Sequence, residues 1–271
     1  MRTIIAANRS TWSINFKEIV HYRELMWMLA YKDYRIRYAQ TILGFTWAFI
    51  QPLFTLIIFI LVFNKAAKVD TGTIPYPVFA MTGMWAWSYF SYVMVQAGSS
   101  IIGSQSLISK VYFPRLIIPL SKSIVGFIDF IIAFVMLVIL MVYFGYAPSI
   151  NILALPLIIL AVVALSLAVG IWLSALSIRF RDIQYIIPFM VQIGLYVTPV
   201  AYPSSRIPPE YLTLYYLNPM AAVIDGFRWA VLDTPLPEIK FLTYSCIITI
   251  ALFISGIYYF KRVERVMADI V

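Results

Sequence analysis

The sequence predicts an all-α integral membrane protein with six transmembrane helices, an N-terminal amphipathic interface helix and a re-entrant helical hairpin between spans five and six. Three observations carry that prediction. Of the 271 residues, 62% are apolar and 12% charged, with a mean hydropathy of +0.89, and so little charge does not cover the core of a soluble domain. The apolar residues gather into six runs, each near the ~20 residues that a helix needs to cross a bilayer. Lys and Arg fall predominantly on one side of those runs.

The expected order is a cytoplasmic and interfacial segment at 1–41, a six-span region at 42–260 that includes the hairpin at 202–240, and a cytoplasmic tail at 261–271, together one transmembrane domain. The opening residues lack an apolar core followed by a small-residue cleavage site, so no cleavage is expected and the first span serves as the targeting signal. Ahead of that span, Phe16, Val20, Trp27, Tyr31 and Tyr34 share one helical face, and Lys17, His21, Glu24, Lys32 and Arg35 lie opposite. Leu25, Met28 and Leu29 depart from this division. The pattern is that of a helix lying at the membrane surface, its charges toward water and headgroups, and it suits either a simple anchor or a surface that also receives a partner.

Lys32, Asp33, Arg35 and Arg37 crowd together, and no further charge follows until Lys65. Spans one to six are expected at 42–63, 76–98, 117–145, 150–178, 183–201 and 241–260. Pro119 and Pro156 sit near the starts of spans three and four, where proline is tolerated. With the N-terminus inside, seven Lys and Arg precede span one, three follow span two (Lys110, Arg115, Lys122), two follow span four (Arg179, Arg181) and three lie in the tail. These fifteen oppose five outside, the asymmetry of the positive-inside rule, and place both termini in the cytoplasm. The net charge of +8 therefore reports membrane orientation, and no nucleic-acid partner is expected. Residues 202–240 are too interrupted by proline and charge for a seventh span, yet unusually aromatic. Two short helices fit there, one after Pro208 and Pro209 and one after Asn218 and Pro219. Such a hairpin enters a bilayer only where protein or a water-filled cavity shelters its backbone.

Catalytic equipment is sparse. His21 is the one histidine and Cys246 the one cysteine, so no His cluster, metal set or intrachain disulfide is expected. The chain carries no GxxxxGK[ST] phosphate-binding loop. A membrane-embedded glycosyl- or acyltransferase would need two or more acidic or His groups converging near one membrane face. Asp129 instead stands alone within a span, and the remaining acids are scattered. At a helix centre Asp129 costs roughly 3 kcal/mol, which the surrounding Ile, Leu, Val and Phe offset at about 0.3–0.6 each. It marks either an interhelical pair, with Lys122 as the nearest basic partner on a similar face, or a transport role. In span four, Ser166, Gly170 and Ser174 form a small-xxx-small stripe suited to close packing.

Aromatic faces stand out. Tyr185, Phe189, Gln192 and Tyr196 recur on one face of span five, and Tyr38, Phe45, Phe49, Phe59 and Phe63 share a face with Pro52 at span one. Two arrangements satisfy these stripes. One is lipid contact or core packing; the other is a pathway whose flat rings meet sugar C–H faces, while hydroxyls and Gln192 meet sugar hydroxyls.

Four stretches together resemble a family: "YKDYRIRYAQTILGFTWAFIQPL" (31–53), "LISKVYFPRLIIPLSK" (107–122), "LSIRFRDIQYIIPFMVQIGLYVTPVAYP" (176–203) and "YLNPMAAVIDGFRWAVL" (216–232). They resemble the permease subunits of bacterial ABC exporters for O-antigen, capsular polysaccharide and teichoic acid, most nearly the Wzm-type O-antigen permeases. The resemblance covers almost the whole chain. It implies a homodimer in the bacterial cytoplasmic membrane, bound to two copies of a separate ATPase that holds the ATP and Mg, with a lipid-linked glycan as substrate and no cofactor or enzymatic activity in this chain. It further implies that the segment with Ser109, Lys110, Tyr112, Phe113, Pro114 and Arg115 is a coupling helix that docks on the ATPase, with Arg179, Arg181 and Asp182 as a second inner contact. Tyr215, Tyr216, Asn218 and Pro219 would form an outer gate. Export of drugs or small lipids is the competing reading within transporters.

Overall fold

A computed structural model describes residues 16–39 and 41–264. Expectations for residues 1–15, for the side chain of Phe16 and for the tail beyond Glu264 lie outside the described residues. The chain runs through α1 (Phe16–His21), α2 (Arg23–Tyr38), α3 (Trp47–Phe59), α4 (Tyr76–Gly98), α5 (Gln105–Ile108), α6 (Ile117–Tyr143), α7 (Leu155–Arg179), α8 (Ile183–Val197), α9 (Leu212–Tyr215), α10 (Pro219–Leu232) and α11 (Ile239–Glu264). No strand occurs among the described residues.

Among the described residues, four helical segments are long and apolar enough to cross a membrane: Gly44–Ala66, Ile117–Tyr143, Ile150–Arg179 and Ile239–Glu264. The first joins α3 to a π-helical stretch, Ile60–Ala66. Helices also form in the other two expected runs, but each differs from a simple lipid-facing span. Helix α4 has the length and less hydropathy, because its walls are other helices rather than lipid. It packs against α6, α7, α8 and α10, and Trp85, Tyr89 and Val93 are buried. Helix α8 is apolar but only 15 residues long, about 22 Å at 1.5 Å per residue. It stops at Val197 instead of reaching 201, since Thr198 precedes Pro199 and is driven into extended backbone.

An aromatic knot ties the core together. The Trp85 indole donates to the Phe130 carbonyl at 2.9 Å, and the rings of Phe130, Phe134 and Phe227 surround it at 4.8–4.9 Å. The small-residue stripe of α7 faces α4 as expected of close packing. A Cβ added at Gly170 would lie 2.8 Å from the Ala97 Cβ, and Ser177 Oγ donates to the Gly98 carbonyl at 2.6 Å.

One end of the bundle gathers α2, the segment 101–118 and the C-terminal turns of α7 and α11 around Leu29, Ile117, Ala175 and Phe260. Here α2 departs from the expected surface helix. Leu29 and Ala30 are buried against the protein, while Val20, Trp27 and Tyr31 stay exposed. The residues that blurred the amphipathic pattern thus include the protein-facing ones. Two ion pairs fasten this face to α6: Lys122 Nζ to Asp33 Oδ2 at 2.5 Å and Arg37 Nη1 to Asp129 Oδ2 at 2.7 Å. Asp129 therefore pairs with Arg37 and not with Lys122, which is taken by Asp33.

At the other end helices form after both expected proline sites: a 3-10 turn, Pro209–Tyr211, runs into the short α9, and α10 begins at Pro219. Asn218 caps α10, its Oδ1 accepting from the Met220 N–H at 3.1 Å and its Nδ2 donating to Thr198 Oγ1 at 2.9 Å. Helix α10 is buried against α4, α7 and α11. Its C-terminus closes on Asp233, which adopts a left-handed φ of 57°. The Asp233 carboxylate accepts from Ser149 Oγ and Asn151 Nδ2 at 3.0 and 2.8 Å.

Candidate functional site

Polar residues on α4 are too few to make it hydrophilic, but the helical repeat collects them. Met84, Ser88, Ser91 and Val95 lie at i, i+4, i+7 and i+11, one face, and that face borders a cavity of about 440 Å³. Helix α3 contributes Gln51 and Thr55, α6 contributes Asp129 and Ala133, and α8 contributes Val191 and Leu195. Arg37 enters from α2, bonded to Asp129 and seated over the Tyr92 ring at 5.1 Å and the Tyr38 ring at 5.4 Å.

The hydrogen-bond pattern in this cavity is uneven. Thr55, Ser88 and Ser91 donate to the carbonyls of Gln51, Trp85 and Ser88 in their own helices at 2.9–3.2 Å, which leaves their oxygen lone pairs as acceptors. Gln51, Tyr92 and Gln96 make no side-chain hydrogen bond among the described residues. A second cavity of about 350 Å³, lined by Arg37, Tyr38, Trp47, Ala48 and Gln51, adjoins it through shared residues. The Tyr38 hydroxyl is buried without a hydrogen-bond partner, and burial pushes that phenol above its ordinary range.

The predicted pathway residues divide into two groups. Tyr38, Phe45 and Phe49, joined by Tyr34 of the amphipathic segment, form a chain of edge-to-face rings 5.3–5.8 Å apart, beside the cavities. Tyr185, Phe189, Gln192 and Tyr196 occupy the exposed face of α8, turned away from the buried Ile187, and Tyr185 is 82% exposed. Within one chain the two aromatic faces do not meet. Sequence reasoning missed Ser88, Ser91, Tyr92 and Gln96; the available signal was their clustering on one face of an otherwise apolar run.

At the α2 end, the helical turn falls earlier than expected. Residues Gln105–Ile108 are helical, whereas Ser109 and Lys110 turn and 111–114 are irregular. Phe113 is buried in the end cluster, and Val111 and Tyr112 project outward. Arg115 joins this segment to the end of α11: its N–H donates to Glu264 Oε1 at 3.1 Å and its Nη1 to the Glu264 carbonyl at 2.7 Å. Arg179, Arg181 and Asp182 lie exposed at the turn into α8.

At the opposite end, Tyr216 stacks on Phe241 at 4.3 Å and donates to Asp225 Oδ2 at 2.9 Å. The Tyr215 hydroxyl donates to that of Tyr202 at 3.4 Å. Asp225 and Arg228, which the sequence placed among scattered outer charges, are instead buried and paired at 3.6 Å. Arg228 Nη2 donates to the Val200 carbonyl at 2.8 Å, and the guanidinium sits 3.7 Å over the Phe79 ring. Their i, i+3 spacing inside an apolar helix was the overlooked clue.

Residues 24–232 match the model of the ABC-2 type transporter family. The chain belongs to that family. It is 26% identical over 252 residues to the O-antigen export system permease protein RfbA of Myxococcus xanthus, covering 92% of this chain and 96% of the relative. Identity to the RfbA protein of Klebsiella pneumoniae is 27% over 248 residues, covering 91% and 95%. The polysialic acid transport protein KpsM of Escherichia coli is 21% identical over 237 residues, covering 87% and 92%. The matched family region takes in the four helices around the larger cavity and the buried Asp225–Arg228 pair.

Proposed function

We propose that this chain is the membrane-spanning subunit of an ABC exporter that moves a lipid-linked polysaccharide of the O-antigen kind across the bacterial cytoplasmic membrane. The observation that carries the reading is near full-length similarity to permeases named for O-antigen export and for polysialic acid transport. In this reading α3, α4, α6, α7, α8 and α11 are six spans, both termini are cytoplasmic, and the α9–α10 hairpin is re-entrant from the outer side. Two copies pair and bind two ATPase subunits, which hold the ATP and Mg.

The division of the bundle supports this arrangement. The basic end carries the outward-facing Val111 and Tyr112, suited to an ATPase contact, and the opposite end carries the hairpin, suited to an exit. The exposed aromatic face of α8 becomes half of a glycan pathway when a second copy faces it. The test is deletion and complementation in the native cell, with surface glycan and the inner pool of lipid-linked glycan measured. Loss of surface glycan, accumulation inside, and rescue only with an intact partner ATPase are expected. Unchanged surface glycan, or export of a drug or small lipid instead, overturns the reading.

A further inference from the structure

We propose that the cavity between α3, α4, α6 and α8 is a subsite for a neutral, hydroxyl-rich ring of the transported glycan, and that it disfavours an anionic headgroup. The proposal rests on the polysaccharide reading above and specifies which part of the substrate this cavity takes. Asp129 lies twelve residues into α6, about 18 Å along its axis, so Asp129, Ser88 and Thr55 stand within the apolar length of the bundle, while Gln51 and Gln96, the latter at the last turn of α4, are exposed where they line the cavity. The half-buried Tyr92 hydroxyl has no hydrogen-bond partner among the described residues, and a polar group within a bilayer is costly unless water or a ligand meets it. Gln51, Tyr92 and Gln96 supply donors and acceptors that no described protein group uses, and Ser88, Ser91 and Thr55 supply acceptors. A sugar hydroxyl both donates and accepts, which this mixture requires.

Charge decides between ligand classes. The charged groups lining the cavity are Arg37 and Asp129, bonded at 2.7 Å, so its formal charge is zero. A phosphate would have to displace Asp129 from Arg37 or lie against the carboxylate. A neutral ring needs neither, and Met84, Ala133, Leu195 and the Trp87 ring give its C–H face an apolar wall. The volume of about 440 Å³ is in the range of small-ligand pockets, roughly 300–1,000 Å³.

The test places a thiol in the cavity of the full chain assembled with its ATPase, using Ser91→Cys in a Cys246→Ser background. The rate of reaction with uncharged N-ethylmaleimide is measured in membrane vesicles, alone and with octyl β-glucoside or octyl phosphate below their micelle concentrations. Octyl glucoside is expected to slow labelling at least threefold and octyl phosphate to leave it unchanged. Equal or stronger protection by octyl phosphate, protection by neither, or a thiol that never reacts overturns the inference. Gln96→Cys in the same background repeats the measurement should the first variant fail to assemble. Labelling after assembly is also expected to cut glycan export at least fivefold, and undiminished export by labelled protein overturns the inference. If wild-type protein exports no glycan while octyl glucoside still protects, the polysaccharide reading fails and the neutral-ligand site stands.

Discussion

At the scale of single residues, two ion pairs, one part-buried and one buried, organise the molecule. Arg37 and Asp129 join α2 to α6 with side chains 29% and 16% exposed, so removing one partner leaves the other charge in a poorly solvated place. Arg37→Gln and Asp129→Asn should each lower stability by about 1–3 kcal/mol, less than for a fully buried pair because of that exposure. The double variant should cost less than the two losses added, by a coupling of roughly 1 kcal/mol or more. Thermal unfolding of the full-length protein in one detergent checks this, and strict additivity would show that the pair is incidental. Arg228 and Asp225 are 2% and 8% exposed at their side chains, and Arg228 also binds the Val200 carbonyl. Arg228→Met should therefore cost about 3 kcal/mol or more, since it strands Asp225 and a loop carbonyl together. A midpoint within a degree of wild type would contradict the buried-pair account.

At the scale of elements, helix contacts explain both what the sequence disclosed and what it concealed. The stripe Ser166, Gly170, Ser174 was legible because small-residue packing depends only on spacing along one helix. Gly170→Val should destabilise the α4–α7 contact by about 1–3 kcal/mol, because the first added carbon already falls 2.8 Å from the Ala97 Cβ. A lowered unfolding midpoint with helical content retained before the transition is the expected result. The hairpin helices were legible too, since Pro209 and Pro219 suit helix starts and Asn218 supplies a cap. Partners across space were not. Nothing in the order of residues distinguishes Lys122 from Arg37 as the companion of Asp129, because the choice depends on how α2 climbs beside α6. The cavity stayed hidden for the same reason: its polar groups come from α2, α3, α4 and α6, each contributing too few to alter its own hydropathy.

At the scale of the whole molecule, the unpaired aromatic face of α8 is the feature that a single chain leaves unexplained. Burying Ile187 while exposing Tyr185, Phe189 and Tyr196 puts the large rings on the wrong side for core packing. If they served only lipid contact, replacing them by other apolar side chains would leave transport intact; if two copies face each other across a pathway, the flat rings themselves matter. Tyr185→Leu, Phe189→Leu and Tyr196→Leu together keep the face apolar and remove the rings, and the corresponding alanine variant removes bulk as well. On the proposed function, both triple variants should assemble with the ATPase and retain its basal hydrolysis. Surface glycan should fall at least tenfold in each. Export retained by the leucine variant and lost by the alanine variant would assign the face to packing or lipid contact, whereas loss in both assigns it to the glycan. Because none of these rings lines the cavity, to which α8 contributes Val191 and Leu195, their replacement leaves the cavity walls in place, so the outcome separates the aromatic pathway from the polar subsite.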